Sequence, residues 1–131
     1  MKKIVVLLCL AVIAAGCAST MSVTKFTSQN RENLSRLSVG MPFSSALDVM
    51  GNNPIVLSCP NEGKKTANEI TVANPYRTET MRIADRNFEV VYYAVNVAAD
   101  GKVDESTLVP LVFENKKLIG WGQTYLDGLK K

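Results

Sequence analysis

Apolar residues recur at helical spacing in two short stretches of the N-terminal half. In residues 28–37, Leu34 and Leu37 lie three positions apart in an otherwise polar run, which predicts a helix with a narrow apolar stripe. The second stretch, FSSALDVM, has the i, i+3, i+4, i+7 spacing of one helix face at Phe43, Ala46, Leu47 and Met50. Gly40, Met41 and Pro42 break the pattern between them. The pattern therefore predicts two short helices joined by a tight turn.

From Thr78 onward the apolar pattern is that of β-strands. The stretch FEVVYYAVNV, residues 88–97, is apolar on both faces, which predicts a central strand covered on both sides. LVPLVF and LIGWGQTYL, separated by the turn ENKK, predict a second hairpin. Two shorter β-like runs, IVLSC and EITVA, lie in the long connection of residues 52–78. This order predicts an α+β fold, with two short N-terminal helices packed on one face of a small antiparallel sheet of three to five strands.

The beginning of the chain has a different pattern. Lys2 and Lys3 precede an apolar run, residues 4–13, which is too short for a membrane-spanning helix of roughly 20 residues. Small residues then lead to Cys17, which is the arrangement of a secretory signal peptide. The ending Ala-Ala-Gly-Cys resembles the bacterial lipobox, where cleavage precedes a Cys that carries a thioether-linked diacylglycerol. The alternative is an ordinary signal peptide in which Cys17 is incidental.

Lipidation would divide the chain into three parts. Residues 1–16 would be the signal peptide, residues 17–27 the lipidated cysteine and a small polar tether, and residues 28–131 a single α+β domain. Two or more acyl chains hold a protein stably on a membrane, so this anchor needs no spanning helix. Ala18 stands where an Asp would retain a lipoprotein at the inner membrane. The resemblance therefore implies the outer membrane, with the domain on its periplasmic side.

Charge and cysteine content narrow the possible partners. Removing residues 1–16 removes two lysines, and the remaining 13 basic and 12 acidic side chains leave a net charge of +1. This balance, without a basic stripe, argues against nucleic acid. Cys59 has no partner once Cys9 leaves with the signal peptide and Cys17 is lipidated. The sequence leaves open a buried inert thiol, an intermolecular bridge or a reactive site.

The absence of histidine limits the chemistry that the chain can perform. It excludes Ser-His-Asp and Cys-His catalysis and every His-ligated metal site. The carboxylates of Asp48, Asp85 and Glu89 fit solvated surface positions, and the acidic stretch 100–105 lacks the spacing of an EF-hand. We therefore expect a non-enzymatic protein with no catalytic residue, metal or cofactor. A small envelope enzyme that uses carboxylates or Cys59 is the enzymatic alternative.

One spacing of Leu, Gly, Met and Pro residues has a counterpart in a known family. It runs Leu, two residues, Gly-Met, a short helix, Gly, two residues, Pro, and its members here are Leu37, Gly40, Met41, Ala46, Met50, Gly51 and Pro54. This pattern resembles the start of the SmpA/OmlA (BamE-like) family of small outer-membrane lipoproteins. The resemblance covers residues 30–54 and 88–120 and implies two helices packed on a three-stranded antiparallel sheet. The long insert of residues 52–78 departs from the family's pattern.

The turn of the second hairpin predicts which side chains share a face. If Asn115-Lys116 is a two-residue turn, the cross-strand pairs are Glu114–Lys117, Phe113–Leu118, Val112–Ile119 and Leu111–Gly120. Alternation then places Val112, Ile119 and Trp121 on one side. A Trp with two β-branched neighbours beside a charged pair predicts a partner-binding surface. The alternative is that the 52–78 insert covers this side and Trp121 belongs to the core.

These features predict an outer-membrane-anchored, periplasm-facing lipoprotein that acts as a non-enzymatic protein-interaction module in envelope assembly or maintenance. Its expected contacts are the membrane, through a lipid on Cys17, and an unidentified envelope protein, through Trp121, Ile119 and Val112. A structural lipoprotein that contacts lipid or the cell wall is an alternative of a different class. An exposed apolar patch would favour the interaction module, and a deep polar pocket would favour an enzyme.

Overall fold

The computed structural model describes residues 20–131. In this part of the chain the elements are β1 (Met21–Ser22), α1 (Val23–Leu34), α2 (Phe43–Met50), β2 (Ile55–Cys59), β3 (Asn68–Val72), β4 (Arg77–Ile83), β5 (Arg86–Tyr93), a 3-10 helix (Glu105–Thr107), β6 (Val109–Glu114), β7 (Lys117–Trp121) and α3 (Gln123–Leu129). The predicted second helix and the two runs IVLSC and EITVA are confirmed as α2, β2 and β3. Within the same residues, no helix is long and apolar enough to cross a membrane.

Strands β4 to β7 form an antiparallel sheet in sequence order. Two-residue turns close its outer hairpins at Ala84-Asp85 and Asn115-Lys116, where all four residues have positive φ, the backbone that matches the twist of a hairpin. Strand β5 is an inner strand, and the side chains of Val90, Val91 and Tyr93 are fully buried. The predicted central strand covered on both faces is confirmed, although it ends at Tyr93 instead of residue 97.

Different elements cover the two faces of this sheet. On one side, called the α2 face, helix α2 closes a cluster whose buried members are Leu37, Ala46, Leu47, Met50, Val91, Tyr93, Leu111, Phe113 and Leu118. We call the sheet of β4 to β7 the main sheet and the sheet of β1 to β3 the second sheet. On the opposite face of the main sheet, side chains from α1, α3 and the second sheet join those of the main sheet in a second cluster, which includes Phe26, Leu57, Cys59, Val72, Phe88, Val90, Tyr92, Val112 and Leu126. The α+β class is therefore confirmed. The predicted placement of both N-terminal helices on one face is met only in part, because α1 buries Phe26 in the opposite cluster and only its end, at Leu34, contacts the α2 face.

The residues of the predicted insert build a sheet of their own. Strand β2 pairs antiparallel with β3 and parallel with the short β1, which gives the strand order β1-β2-β3. Leu57, Cys59 and Val72 turn their side chains into the cluster on the opposite face. The long connection, with its β-branched residues, thus forms a second layer instead of a loop, because its apolar side chains are buried in this hydrophobic cluster.

Helix α1 begins earlier than the sequence pattern predicted. The prediction placed a tether at 17–27 and a helix at 28–37, whereas α1 spans Val23–Leu34. Ser22 caps the helix by accepting a hydrogen bond from the amide of Lys25. Phe26 is only 2% exposed. It is a single aromatic residue in a stretch of mostly small and polar residues, so the sequence shows no repeated apolar spacing that would predict a helix there. Within the described residues the first element is therefore β1, and the predicted boundary at residue 28 lies inside α1.

The C-terminal stretch LIGWGQTYL divides into strand β7 and helix α3 instead of continuing as one strand. Gly122, between the two elements, has a φ of 96°, which side-chain-bearing residues rarely adopt. Tyr125 of α3 packs directly on Gly120 of β7, where an added Cβ would lie 2.5 Å from the Tyr125 ring. Two glycines therefore end the strand and allow the last helix to lie against the sheet.

Candidate functional site

A β-bulge separates Trp121 from the other two residues of the predicted partner-binding patch. Strands β6 and β7 follow the predicted register for the two pairs nearest the turn and then shift, so that Val112 pairs with Gly120 and Leu111 with Trp121. Val112 is fully buried on the opposite face, and Ile119 packs, partly buried, against the same cluster. Trp121 packs, partly buried, against the cluster of the α2 face.

The prediction that Val112, Ile119 and Trp121 share one exposed side is therefore wrong. The extra residue in β7 moves Trp121 to the α2 face, since a shift of one position moves every following side chain to the other face. Val112 and Ile119 still share a face, but the strands of the 52–78 insert cover it, as the alternative had proposed for that side. The partner-binding role of Trp121 itself stays a prediction. The predicted lipidation site, Cys17, and the predicted signal peptide of residues 1–16 lie outside the described residues.

Cys59 lies at the end of β2 and is 2% exposed. The loop that contains Gly101 covers it, and a Cβ at Gly101 would come within 3.0 Å of the Cys59 sulfur. Ile70 of the neighbouring strand lies against the same glycine. Of the three alternatives that the sequence left open for Cys59, this position favours the buried thiol.

An open groove of about 480 Å³ lies between helix α1 and the segment 96–104. Val23, Thr27 and Arg31 line its helix side, and their spacing of four residues places them on one face of α1. Val97 faces them from the other wall. The groove is therefore bordered by a regular element on one side and by an irregular segment on the other.

Thr27, which lines this groove, has an unsatisfied polar atom. Its Oγ1 is buried and has no hydrogen-bond partner within residues 20–131. A buried hydroxyl without a partner costs roughly 1–3 kcal/mol. Thr side chains in helices divide between two χ1 rotamers, and a change of rotamer would be needed to bring this buried hydroxyl to the groove. A ligand that offers a donor or an acceptor there would recover the missing hydrogen bond.

The charged side chains around the groove are engaged with other groups of the domain. The Arg31 guanidinium donates a hydrogen bond to the side-chain oxygen of Asn96. Lys102 lies 3.6 Å from the Asp100 carboxylate, and Asp104 accepts a hydrogen bond from the amide of Ser106 at the start of the 3-10 helix. The groove therefore suits a ligand that binds by apolar contact and neutral hydrogen bonds more than a highly charged one.

A second, narrower cleft of about 170 Å³ lies between α1, the end of α2 and the segment before β4. Three buried asparagines line it: Asn30, Asn33 and Asn74. The Asn30 amide donates to the Asn74 side-chain oxygen at 3.3 Å and to the Ala94 carbonyl at 2.8 Å. The Asn74 amide donates to the Met50 carbonyl at 3.4 Å. These hydrogen bonds join α1, α2 and the end of β5, whereas the Asn33 side chain makes none within the described residues.

Gly51 shapes the same cleft, which we call the amide cleft. It has a φ of 97°, and a Cβ at this position would lie 2.7 Å from the Asn74 amide nitrogen. Tyr93 donates its hydroxyl to the Gly51 carbonyl at 2.7 Å. Burial raises the pKa of Tyr93 well above its usual range, so the hydroxyl stays a donor at neutral pH. The wall of the cleft is thus fixed by a close approach that only glycine permits.

The NPYR segment forms a cluster of aromatic and charged side chains at the outer edge of the main sheet. The Arg77 guanidinium lies 4.0 Å from the centre of the Tyr92 ring and 3.1 Å from the Glu79 carboxylate. Burial, together with a hydrogen bond donated to Glu79, raises the pKa of Tyr92 to about 12. A hydrogen bond to Glu105 raises the pKa of Tyr76. Both phenols are therefore protonated at neutral pH, and the cluster joins β4, β5 and the 3-10 helix.

Sequence reasoning overlooked both cavities, for different reasons. Phe26, Asn30 and Asn33 have the i, i+4, i+7 spacing of a buried helix face, and this signal for the amide cleft was readable in the sequence. The groove has no such signal, because its second wall is irregular. Among residues 20–131, no group of three or more His, Cys, Asp and Glu side chains is arranged to hold a metal ion.

Comparison with known proteins gave a family match. The model of the DUF3192 family, described as a protein of unknown function, matches residues 8–128. The matched range includes Cys17, both sheets and most of α3. No curated protein and no solved structure matched the chain. Because the family model covers nearly the whole sequence, the chain belongs to the DUF3192 family.

Proposed function

We propose that this chain is an outer-membrane lipoprotein, held by a lipid on Cys17 and facing the periplasm, that binds an envelope protein as a non-enzymatic module in envelope assembly or maintenance. The basic start, the short apolar run and the small residues before Cys17 support the anchor. The family match begins inside that apolar run, at residue 8. This supports the proposal that the apolar N-terminal segment is a regular part of proteins of this family. A relationship to the SmpA/OmlA family stays a prediction.

The groove along α1, with the unpartnered hydroxyl of Thr27, is the observation that carries the binding role. An extended polypeptide segment would supply backbone donors and acceptors to Thr27 and apolar side chains to Val23 and Val97. The lining contains the cations of Arg31 and Lys102 and the carboxylate of Asp104, and Asp100 lies beside Lys102, so the charges at the groove nearly cancel. The groove therefore fits an extended, largely uncharged segment of a partner protein.

The proposed anchor would keep this groove near the membrane. Strand β1 begins at Met21, four residues after Cys17, and four extended residues span at most about 14 Å. Val23, at one end of the groove, follows two residues later. A partner that reaches this groove would therefore lie at the membrane surface, as the periplasmic part of an outer-membrane protein does.

Site-specific photocrosslinking in intact cells tests this proposal. A photoreactive phenylalanine analogue at Ser28, an exposed groove position, should give a discrete protein adduct in the membrane fraction. The same analogue at Arg82, exposed on the main sheet away from the groove, should give none. Ala98→Arg places a large side chain in the groove and should abolish the Ser28 adduct, whereas Ala99→Arg, at the exposed neighbour outside the groove lining, should preserve it.

Two results would contradict the proposal. Equal adducts at Ser28 and Arg82 would show that the groove has no special role. Adducts of Ser28 with lipid or cell-wall material alone would favour the structural lipoprotein instead of a protein-interaction module.

A further inference from the structure

The amide cleft contains hydrogen-bonding groups that the domain itself does not use. Asn33 is only 8% exposed and lines the cleft, yet its side chain has no hydrogen-bond partner within residues 20–131. Asn30 donates two hydrogen bonds, but its side-chain oxygen accepts none from the described residues. Thr27 Oγ1 is the one fully buried, unpartnered side-chain atom among residues 20–131, so the free atoms of Asn30 and Asn33 are not sealed in the core but face the space of the cleft. A ligand in the cleft would therefore meet hydrogen-bonding groups of Asn30 and Asn33 that no described protein group occupies.

The charges around the cleft limit the chemistry of that guest. No Lys or Arg is found among the described residues that line it, so an anion would have no cation to contact. Asp48 lies at the rim, is exposed, and forms no ion pair with the described residues. The free groups are thus a carboxylate together with amide donors and acceptors, which suits a neutral ligand that both donates and accepts hydrogen bonds.

The size and the apolar wall of the cleft point to a small hydroxyl-rich molecule. A volume of about 170 Å³ corresponds to roughly six water molecules at about 30 Å³ each. Each hydroxyl group supplies a donor and two acceptor lone pairs on one atom, which matches the mixed groups of Asn30 and Asn33. Phe26 and Ile55 also line the cleft and would contact the C–H face of such a ligand.

We propose that the amide cleft binds an uncharged polyol, either a sugar ring or a glycerol-type headgroup, through Asn30, Asn33 and Asp48. This site is separate from the groove along α1, because the two share no lining residue. The proposal does not depend on the lipid anchor or on a protein partner, so either proposal can fail without the other.

Titration followed by NMR tests the proposal on the full chain, labelled with 15N and purified in a detergent without hydroxyl groups. The probes are methyl glucoside, glycerol, and N-acetylglycinamide as a peptide-like amide. We expect the side-chain amide signals of Asn33 and Asn30 to shift saturably with a polyol and not with N-acetylglycinamide. Asn33→Leu, which keeps the size of the side chain and removes its polar atoms, should weaken polyol binding by about tenfold.

Matched variants and lipids complete the design. Asn87→Leu changes an exposed Asn outside the cleft and should leave binding unchanged, while Asp48→Asn keeps the shape of the rim and should weaken it. A short-chain monoacylglycerol, whose glycerol headgroup is uncharged, and a short-chain phosphatidylcholine distinguish the sources: a response to the monoacylglycerol without one to methyl glucoside assigns a lipid, and a response to methyl glucoside alone assigns a saccharide. The proposal is overturned if no polyol shifts the Asn33 signals, or if N-acetylglycinamide shifts them as strongly.

Discussion

At the scale of single residues, the Thr27 hydroxyl has an unmet hydrogen-bonding requirement. Its buried hydroxyl lacks a partner within the described residues, and Thr27→Val replaces that hydroxyl with a methyl group of similar size. We expect the free energy of unfolding to rise by about 1 kcal/mol, because the cost of an unpaired buried hydroxyl is removed. Chemical denaturation of the two proteins measures the difference. If the groove is the binding site, the same variant should also weaken the crosslink from Ser28.

Thr24→Val is the matched control for this prediction. Thr24 lines the same groove but is exposed, so its replacement should change the free energy of unfolding by less than about 0.5 kcal/mol. A loss of stability in Thr27→Val would show that its hydroxyl forms a favourable hydrogen bond, which would remove the main support for the groove.

Cys59 should behave as a structural side chain. Because it is 2% exposed beneath the loop of Gly101, Cys59→Ser buries a hydroxyl in an apolar site and should cost ~1–3 kcal/mol of unfolding free energy. Ser58→Ala, at the less buried neighbour, should change little. Labelling of the native protein, read at the Cys59 peptide by mass spectrometry, should be slow. Rapid labelling would reopen a redox role for this thiol.

Tyr92 and Tyr93 should make the fold sensitive to alkaline pH. Folding raises the pKa of Tyr92 from 10.0 to about 12 and raises that of Tyr93 as well. A raised pKa means that the folded state holds the proton more tightly, so this stabilisation is complete below pH 10 and is lost as the pH rises toward 12. Urea denaturation between pH 9 and 12 measures the loss. The double variant Tyr92→Phe, Tyr93→Phe should fall less steeply, and an equally steep fall would contradict the assignment.

At the scale of elements, the bulge in β7 decides which side chains enter the core. It turns Trp121 to the α2 face, whereas Val112 stays fully buried on the opposite face beneath the second sheet, so Val112→Ala should cost about 2–3 kcal/mol through lost burial and the cavity left behind. Val39, which is 69% exposed, provides the control, because Val39→Ala should stay within about 0.5 kcal/mol. A similarly small effect of Val112→Ala would contradict the burial of this face and restore the predicted exposed position of Val112.

Elements that are specified by the apolar pattern of their own residues could be predicted from the sequence. Features that depend on contacts with other parts of the fold could not. The spacing of apolar residues predicted α2 correctly, and the two-sided apolar run predicted the central position of β5. The start of α1 was missed because it depends on one buried aromatic, Phe26, and on the cap at Ser22. The bulge at Ile119 was missed because alternation alone contains no information about an inserted residue.

The candidate site was less predictable than the fold for the same reason. The buried Asn30 and Asn33 share the helical spacing of Phe26, so half of the amide cleft was readable from the sequence. Its other half depends on Asn74 and Gly51, which the fold brings to α1 from distant positions. The groove requires the irregular segment 96–104, whose path no local pattern specifies.

At the scale of the whole molecule, the proposed membrane anchor would lie very close to the described domain. Because β1 begins four residues after Cys17, little chain remains to act as a tether. A lipoprotein of this kind would hold both the groove and the amide cleft near the membrane, since Val23 and Met21 line them. The anchor is therefore the claim on which the location of the partner depends.

Intact mass spectrometry of the protein purified from outer membranes tests this anchor most directly. We expect a chain that begins at Cys17 and carries the added mass of a diacylglyceryl group with its acyl chains, and we expect Cys17→Ala to lose both that mass and outer-membrane fractionation. A chain of unmodified mass, or one that begins at another residue while it still fractionates with the outer membrane, would contradict the account.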